Sequence, residues 1–118
     1  MTRLWLAGVN VRAPVTDDML DANGFLADRA LWTPAIAEAF AEQESVTLTE
    51  AHWEVLDLIQ RFYEEFDASP ANRALVKYAK LKLGPDKGNS IYLMTLFPGS
   101  PTRLASRIAG LPKPKNCL

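Results

Sequence analysis

From Trp32 onward the apolar residues recur at three- and four-residue steps, the period of a helix with one buried face. Trp53, Leu56, Ile59, Phe62 or Tyr63, and Phe66 form one continuous stripe, which predicts a helix from a cap at Thr49 to about Phe66. Ile36 and Phe40 stand one turn apart in a helix expected over Pro34 to about Glu44. Leu104 and Ile108 do the same over Pro101 to Ala109, and helices over roughly Pro70 to Leu83 and Ser90 to Leu96 complete a set of about five. The expected boundaries have chemical reasons. Thr33-Pro34, Ser69-Pro70 and Ser100-Pro101 each put a hydroxyl before a proline. The hydroxyl can accept a bond from a free N–H of the first turn, and proline there leaves no N–H unpaired. Gly84-Pro85 and Gly110 are expected stops.

The first thirty residues follow another pattern. Leu4, Leu6 and the Val9–Val11 stretch alternate weakly around Gly8, and Asn23-Gly24 is a hairpin-type dipeptide followed by Phe25 and Leu26. The expectation is an α+β domain over residues 1–110. A small N-terminal antiparallel sheet or hairpin packs on the helices, and residues 111–118 form a mobile C-terminal arm.

That arm reads LPKPKNCL and carries the only cysteine of the chain, Cys117. Pro112 and Pro114 stiffen the approach, and Lys113 and Lys115 lie just before the thiol. In polyproline geometry, at roughly 3.1 Å per residue, eight residues reach about 25 Å. An unperturbed thiol is about 3% thiolate at neutral pH, and the lysines favour the thiolate, subject to screening by salt. Position makes a buried structural cysteine a poor reading. Two remain open on these residues alone: a nucleophilic sulfur carrier, or a passive exposed thiol.

Charge divides the chain. Residues 1–69 hold four Lys or Arg against thirteen Asp or Glu, whereas residues 70–118 hold nine against one, Asp86. The halves either neutralise each other in the fold or leave a basic face for an acidic partner or a nucleic acid. At 118 residues one domain with a real core is expected. The longest apolar run falls well short of the ~20 residues that span a bilayer, and the N-terminus lacks a signal-peptide pattern. A cytoplasmic protein without membrane contact is expected. One cysteine and one histidine, His52, do not make a structural zinc set, and no cofactor is expected. Residues 84–90, GPDKGNS, do not match phosphate-loop spacing and read as a turn plus helix cap. His52 reads as packing or capping, and Glu64 and Glu65 as a solvated helix face.

Six ordered blocks carry a resemblance to a known family: DANGFL (21–26), LTEAHWEV (48–55), SPANRALVK (69–77), LGPDKGNSIYL (83–93), LFPG (96–99) and RIAGLPKPKNCL (107–118). The chain resembles the DsrC/TusE family of sulfur-handling proteins. That resemblance implies a compact α+β domain and a sulfurtransferase role, with Cys117 carrying sulfur as a persulfide. Ser106 stands where two-cysteine DsrC members have a second thiol, so the chain is similar to the single-cysteine TusE branch. For that branch the implied partners are an upstream sulfur relay complex as donor and a tRNA 2-thiouridylase as acceptor, with possible indirect tRNA contact. Arg73 and Lys77 match the family and, with Lys113 and Lys115, are candidate contacts for the arm or a partner. Thr95 and the stretch Ser100 to Leu104 depart from the family pattern. Competing readings are single-thiol sulfur trafficking in dissimilatory sulfur metabolism and a helix-turn-helix-like regulator presenting Lys77, Lys80, Lys82 and Lys87.

Overall fold

The computed structural model describes residues 14–115. Five helices follow two short 3-10 turns, at Asp17–Met19 and Arg29–Leu31: α1 (Pro34–Gln43), α2 (Glu50–Phe66), α3 (Asn72–Leu83), α4 (Ser90–Leu96) and α5 (Pro101–Ile108). Helix α5 packs against each of the other four and forms the hub of the core. Leu56, Ile59, Leu75, Leu93 and Ile108 meet in that core, and Phe40 and Phe97 are fully buried with them.

The expected N-terminal sheet or hairpin is not there. Among the described residues no strand forms, and the only pairing of that kind is an isolated antiparallel bridge between Leu20 and Leu26. Asn23-Gly24 does turn the chain, but a carboxylate controls the turn. Asp21 Oδ1 accepts from the N–H groups of Asn23 (2.8 Å) and Phe25 (3.0 Å), bonds that the backbone would otherwise offer to a ladder. On each flank the chain soon enters a 3-10 turn, and Asp28 Oδ1 caps the second by accepting from the Ala30 N–H (3.0 Å). The structure is helical where α+β was expected. The weak alternation at Leu4–Val11 lies outside the described residues.

The side-chain caps at the starts of α1 and α4 hold. Thr33 Oγ1 accepts from the Ile36 N–H (3.2 Å), and Asn89 Oδ1 from the Tyr92 N–H (2.8 Å). Ser69-Pro70 does not start α3, whose N-cap is Ala71. The hydroxyl has another partner, described below. After α3 the loop turns back tightly on the helix: a Cβ on Gly88 would stand 2.1 Å from the Lys80 Cα.

His52 is a structural residue, buried at the start of α2. Its Nδ1 accepts from the Thr49 N–H (3.2 Å), and its Nε2 lies 2.8 Å from the Leu96 carbonyl, which can only accept. These partners assign a neutral ring protonated at Nε2. The ring packs edge-on against Phe97 and joins α2 to the end of α4.

Candidate functional site

The described part of the arm begins where α5 ends, and its position follows from how the last turn of that helix is satisfied. A helix leaves four carbonyls without partners inside it. Here the Gly110 N–H donates to Arg107 O (3.1 Å) and the Leu111 N–H to Ser106 O (2.9 Å). Those two bonds, with Gly110 at φ +78°, make a Schellman closure. The next carbonyls are taken by distant side chains. Trp32 Nε1–H donates to Ile108 O (2.8 Å), and Gln60 Nε2 donates to Ala109 O (2.9 Å). Ser69 Oγ then donates to Pro112 O (2.6 Å).

The base of the arm is thereby stitched to three parts of the body. Leu111 is fully buried, Pro112 and Lys113 are exposed, Pro114 is buried again and Lys115 is exposed. Trp32 lies so close under Gly110 that a Cβ there would stand 2.4 Å from its Cδ1.

Arg107 anchors the helix that bears the arm. Its Nε–H donates to Gly24 O (2.9 Å), Nη1 to Glu44 (2.9 Å) and Nη2 to Gln43 (2.7 Å), with the guanidinium 4.5 Å above the Phe40 ring. At the other end of α5, Asn72 Oδ1 accepts from the Thr102 N–H (3.0 Å) and the Thr102 hydroxyl donates to Pro70 O (2.5 Å). Asn72 thus does for α5 what the Ser100 side chain was expected to do. Ser106 is fully buried, and its hydroxyl oxygen has no hydrogen-bond partner among the described residues.

A groove of about 340 Å³ opens beside the arm, lined by Tyr63, Asp67, Ala68, Ser69, Ala71, Pro112, Lys113 and Lys115. Of the residues singled out from sequence, Lys113 and Lys115 share this groove. Arg73 and Lys77 lie exposed on α3, whose preceding loop forms the opposite wall. Cys117 lies outside the described residues. Sequence reasoning missed Trp32 and Gln60 as holders of the arm, because their partners are 76 and 49 positions away. Ser69 was noticed but assigned to a helix start.

The family model for DsrC-like proteins matches residues 16–118. The chain belongs to the DsrC-like family. Among curated DsrC-like relatives, Sulfurtransferase TusE of Pectobacterium atrosepticum is 52% identical over 98 residues, covering 83% of this chain and 90% of that protein. The Sulfurtransferase TusE homolog of Haemophilus influenzae is 50% identical, with the same coverage. Among solved structures, Allochromatium vinosum DsrC matches with a TM-score of 0.75 and 43% identity, covering 84% of this chain and 88% of that one. The oxidized γ-subunit of the dissimilatory sulfite reductase (DsrC) from Archaeoglobus fulgidus matches with a TM-score of 0.71 and 38% identity, at 84% and 90% coverage. This DsrC-like chain is therefore of the sulfurtransferase class, with a role in carrying sulfur. No helix among its described residues is long and apolar enough to cross a membrane.

Proposed function

We propose that the protein relays sulfane sulfur on Cys117, accepting it from an upstream relay protein and passing it to a tRNA 2-thiouridylase. The observation that carries this reading is the stitched base of the arm. The only cysteine of the chain follows three residues after a buried proline whose approach is fixed to Trp32, Gln60 and Ser69. Three extended residues span about 10 Å at most. With the base held, the thiol serves a surface within that distance of Pro114. Releasing the bonds of Leu111 and Pro112 and unburying Leu111 and Pro114 lengthens its reach towards about 25 Å.

The transfer needs no oxidant and no general base. Cys117 thiolate attacks the outer sulfur of a donor persulfide, the donor's S–S bond breaks, and the donor cysteine leaves as thiolate. The product is Cys117–S–SH. In the second step an acceptor thiolate attacks that outer sulfur, and Cys117 leaves as thiolate. One S–S bond forms and one breaks each time, so the protein contributes mainly by delivery, which raises the local concentration of sulfur at the acceptor. Lys113 and Lys115, exposed before the thiol, favour its anionic form in both steps.

The tRNA acceptor rests on the TusE relatives. Likeness to the γ-subunit of a dissimilatory sulfite reductase favours a second acceptor, an enzyme of dissimilatory sulfur metabolism served by a single thiol. Ser106 stands in the way of chemistry that would need two thiols on this chain. The purified protein, incubated with a persulfide donor, is expected to gain the mass of one sulfur atom on the Cys117 peptide. The loaded protein is then expected to support thiolation of tRNA by the 2-thiouridylase. A Cys117→Ser variant that gained sulfur equally would overturn the carrier reading, and loaded protein that left tRNA unmodified would overturn the acceptor.

A further inference from the structure

The bonds that hold the arm are made by neutral groups, and the positive charge of the second half of the chain collects elsewhere. Arg73, Lys77 and Lys80 stand at i, i+4 and i+7 on α3, within about 60° of one another around the helix and over about 10 Å of its length. They lie opposite the buried Leu75, Tyr78 and Ala79, and all three are exposed. None of the three has an ion-pair or hydrogen-bonded side-chain partner among the described residues. No acid of the neighbouring helix α2 pairs with them, and all of its acids but Glu50 have other partners among the described residues. Glu54 holds Lys87, Asp57 holds Arg61, Glu64 holds Arg29, and Glu65 accepts from the Tyr78 hydroxyl. At the edge of the stripe sits Leu81, 77% exposed, an unusual place for a large aliphatic side chain. The loop that leads into α3, through Ala71, lines the groove bearing Lys113 and Lys115.

We propose that this face of α3 is the docking surface for an acidic protein partner of the relay. The proposal rests on the reading of Cys117 as the carrier and adds what recognises the other protein. Unpaired exposed cations steer an acidic surface and set the encounter orientation. Leu81 supplies apolar area that a protein can bury. A phosphate backbone gains the three charges and nothing from that leucine, so the stripe fits a protein better than a nucleic acid.

The test uses the full chain, the relay's persulfide donor protein, the 2-thiouridylase and free tRNA. Binding of the unloaded protein to each is measured by calorimetry at two salt concentrations, for wild type, Arg73→Glu/Lys77→Glu/Lys80→Glu and Leu81→Ser. The expected result is a Kd raised about tenfold or more by the charge reversals for at least one protein partner at low salt, with the difference shrinking at high salt. Leu81→Ser is expected to weaken the same complex without changing its salt dependence. In transfer assays the charge reversals are expected to raise KM and leave kcat in place. Equal affinities of wild type and the charge-reversed variant for both proteins would overturn the proposal. So would a loss confined to free tRNA. The carrier reading has its own test, loading of wild type by glutathione persulfide, so either idea can fail while the other stands.

Discussion

The base of the arm and the solvent face of α3 are built in opposite ways. The carbonyls of Ser106, Arg107, Ile108, Ala109 and Pro112 each find a donor: a backbone N–H, an indole, an amide or a hydroxyl. Such bonds are short-ranged and directional, and they fix where the arm leaves the body. On α3, Arg73, Lys77 and Lys80 keep their charges in water with no side-chain partner among the described residues. Exposed charges contribute little to stability but act over a Debye length, ~8–10 Å at ordinary salt. One region is committed to shape and the other to encounter. Substitutions in the first are expected to appear in stability, and substitutions in the second in partner affinity.

The sharpest way to break the first region is Gly110→Ala. Its φ of +78° is costly for any residue with a Cβ, about 1–2 kcal/mol, and the added carbon would overlap Trp32 at 2.4 Å. A loss of about 2–4 kcal/mol is expected in urea unfolding, with a change in tryptophan emission as Trp32 is pushed from its bond to Ile108. A loss below about 1 kcal/mol would mean that Trp32 steps aside freely and that the base is not fixed. The charge reversals on α3 make the contrast: they are expected to leave the unfolding midpoint nearly unchanged.

What could be read from the sequence divides along a similar line. Helix α2 runs to the expected end at Phe66, and α4 has its expected span, because the apolar stripe or the asparagine cap and the flanking turn agree locally. Cys117, Lys113 and Lys115 were visible because composition and order alone single them out. The bonds that hold the arm were not visible. Trp32, Gln60 and Arg107 act on residues 76, 49 and 83 positions away, and no local period encodes such pairs. Ser69-Pro70 carried a valid helix-start signal, yet its hydroxyl took a tertiary acceptor and α3 began at Asn72. The N-terminal sheet failed for a related reason. Asn23-Gly24 supplied a turn, but the Asp21 carboxylate took the amides that a ladder needs.

Two serines sharpen the picture of the arm's base because they should move stability in opposite directions. Ser69→Ala removes the donor to Pro112 O and is expected to cost about 1 kcal/mol. Ser106→Ala removes a buried hydroxyl that has no partner among the described residues, whose desolvation costs roughly 1–3 kcal/mol, so the variant is expected to be as stable as wild type or more so. Parallel urea titrations of both variants check the pair. A clear loss on Ser106→Ala would show that this hydroxyl finds an acceptor in solution, and the contrast between the two serines would disappear.

The smallest expected effect lies on the inner face of α3, directly behind the charged stripe. Tyr78 is buried there, its ring edge-on to Phe62 at 5.1 Å and its hydroxyl donating to Glu65 at 3.0 Å. Burial raises its pKa above the ordinary value of 10.0, and the bond to the Glu65 carboxylate raises it further. The folded protein holds this proton more tightly than the unfolded chain does. The stability that follows is therefore intact below about pH 10 and is lost as pH rises through the folded value. In a spectrophotometric titration of the tyrosines, Tyr78 is expected to ionise above pH 10.0, and Glu65→Gln is expected to move that step back down. The same substitution removes one of the engaged acids beside the stripe without touching its cations. If burial dominates as the geometry indicates, most of the elevation survives Glu65→Gln; if the step falls all the way to the ordinary range, the carboxylate and not the packing governs the inner face of α3.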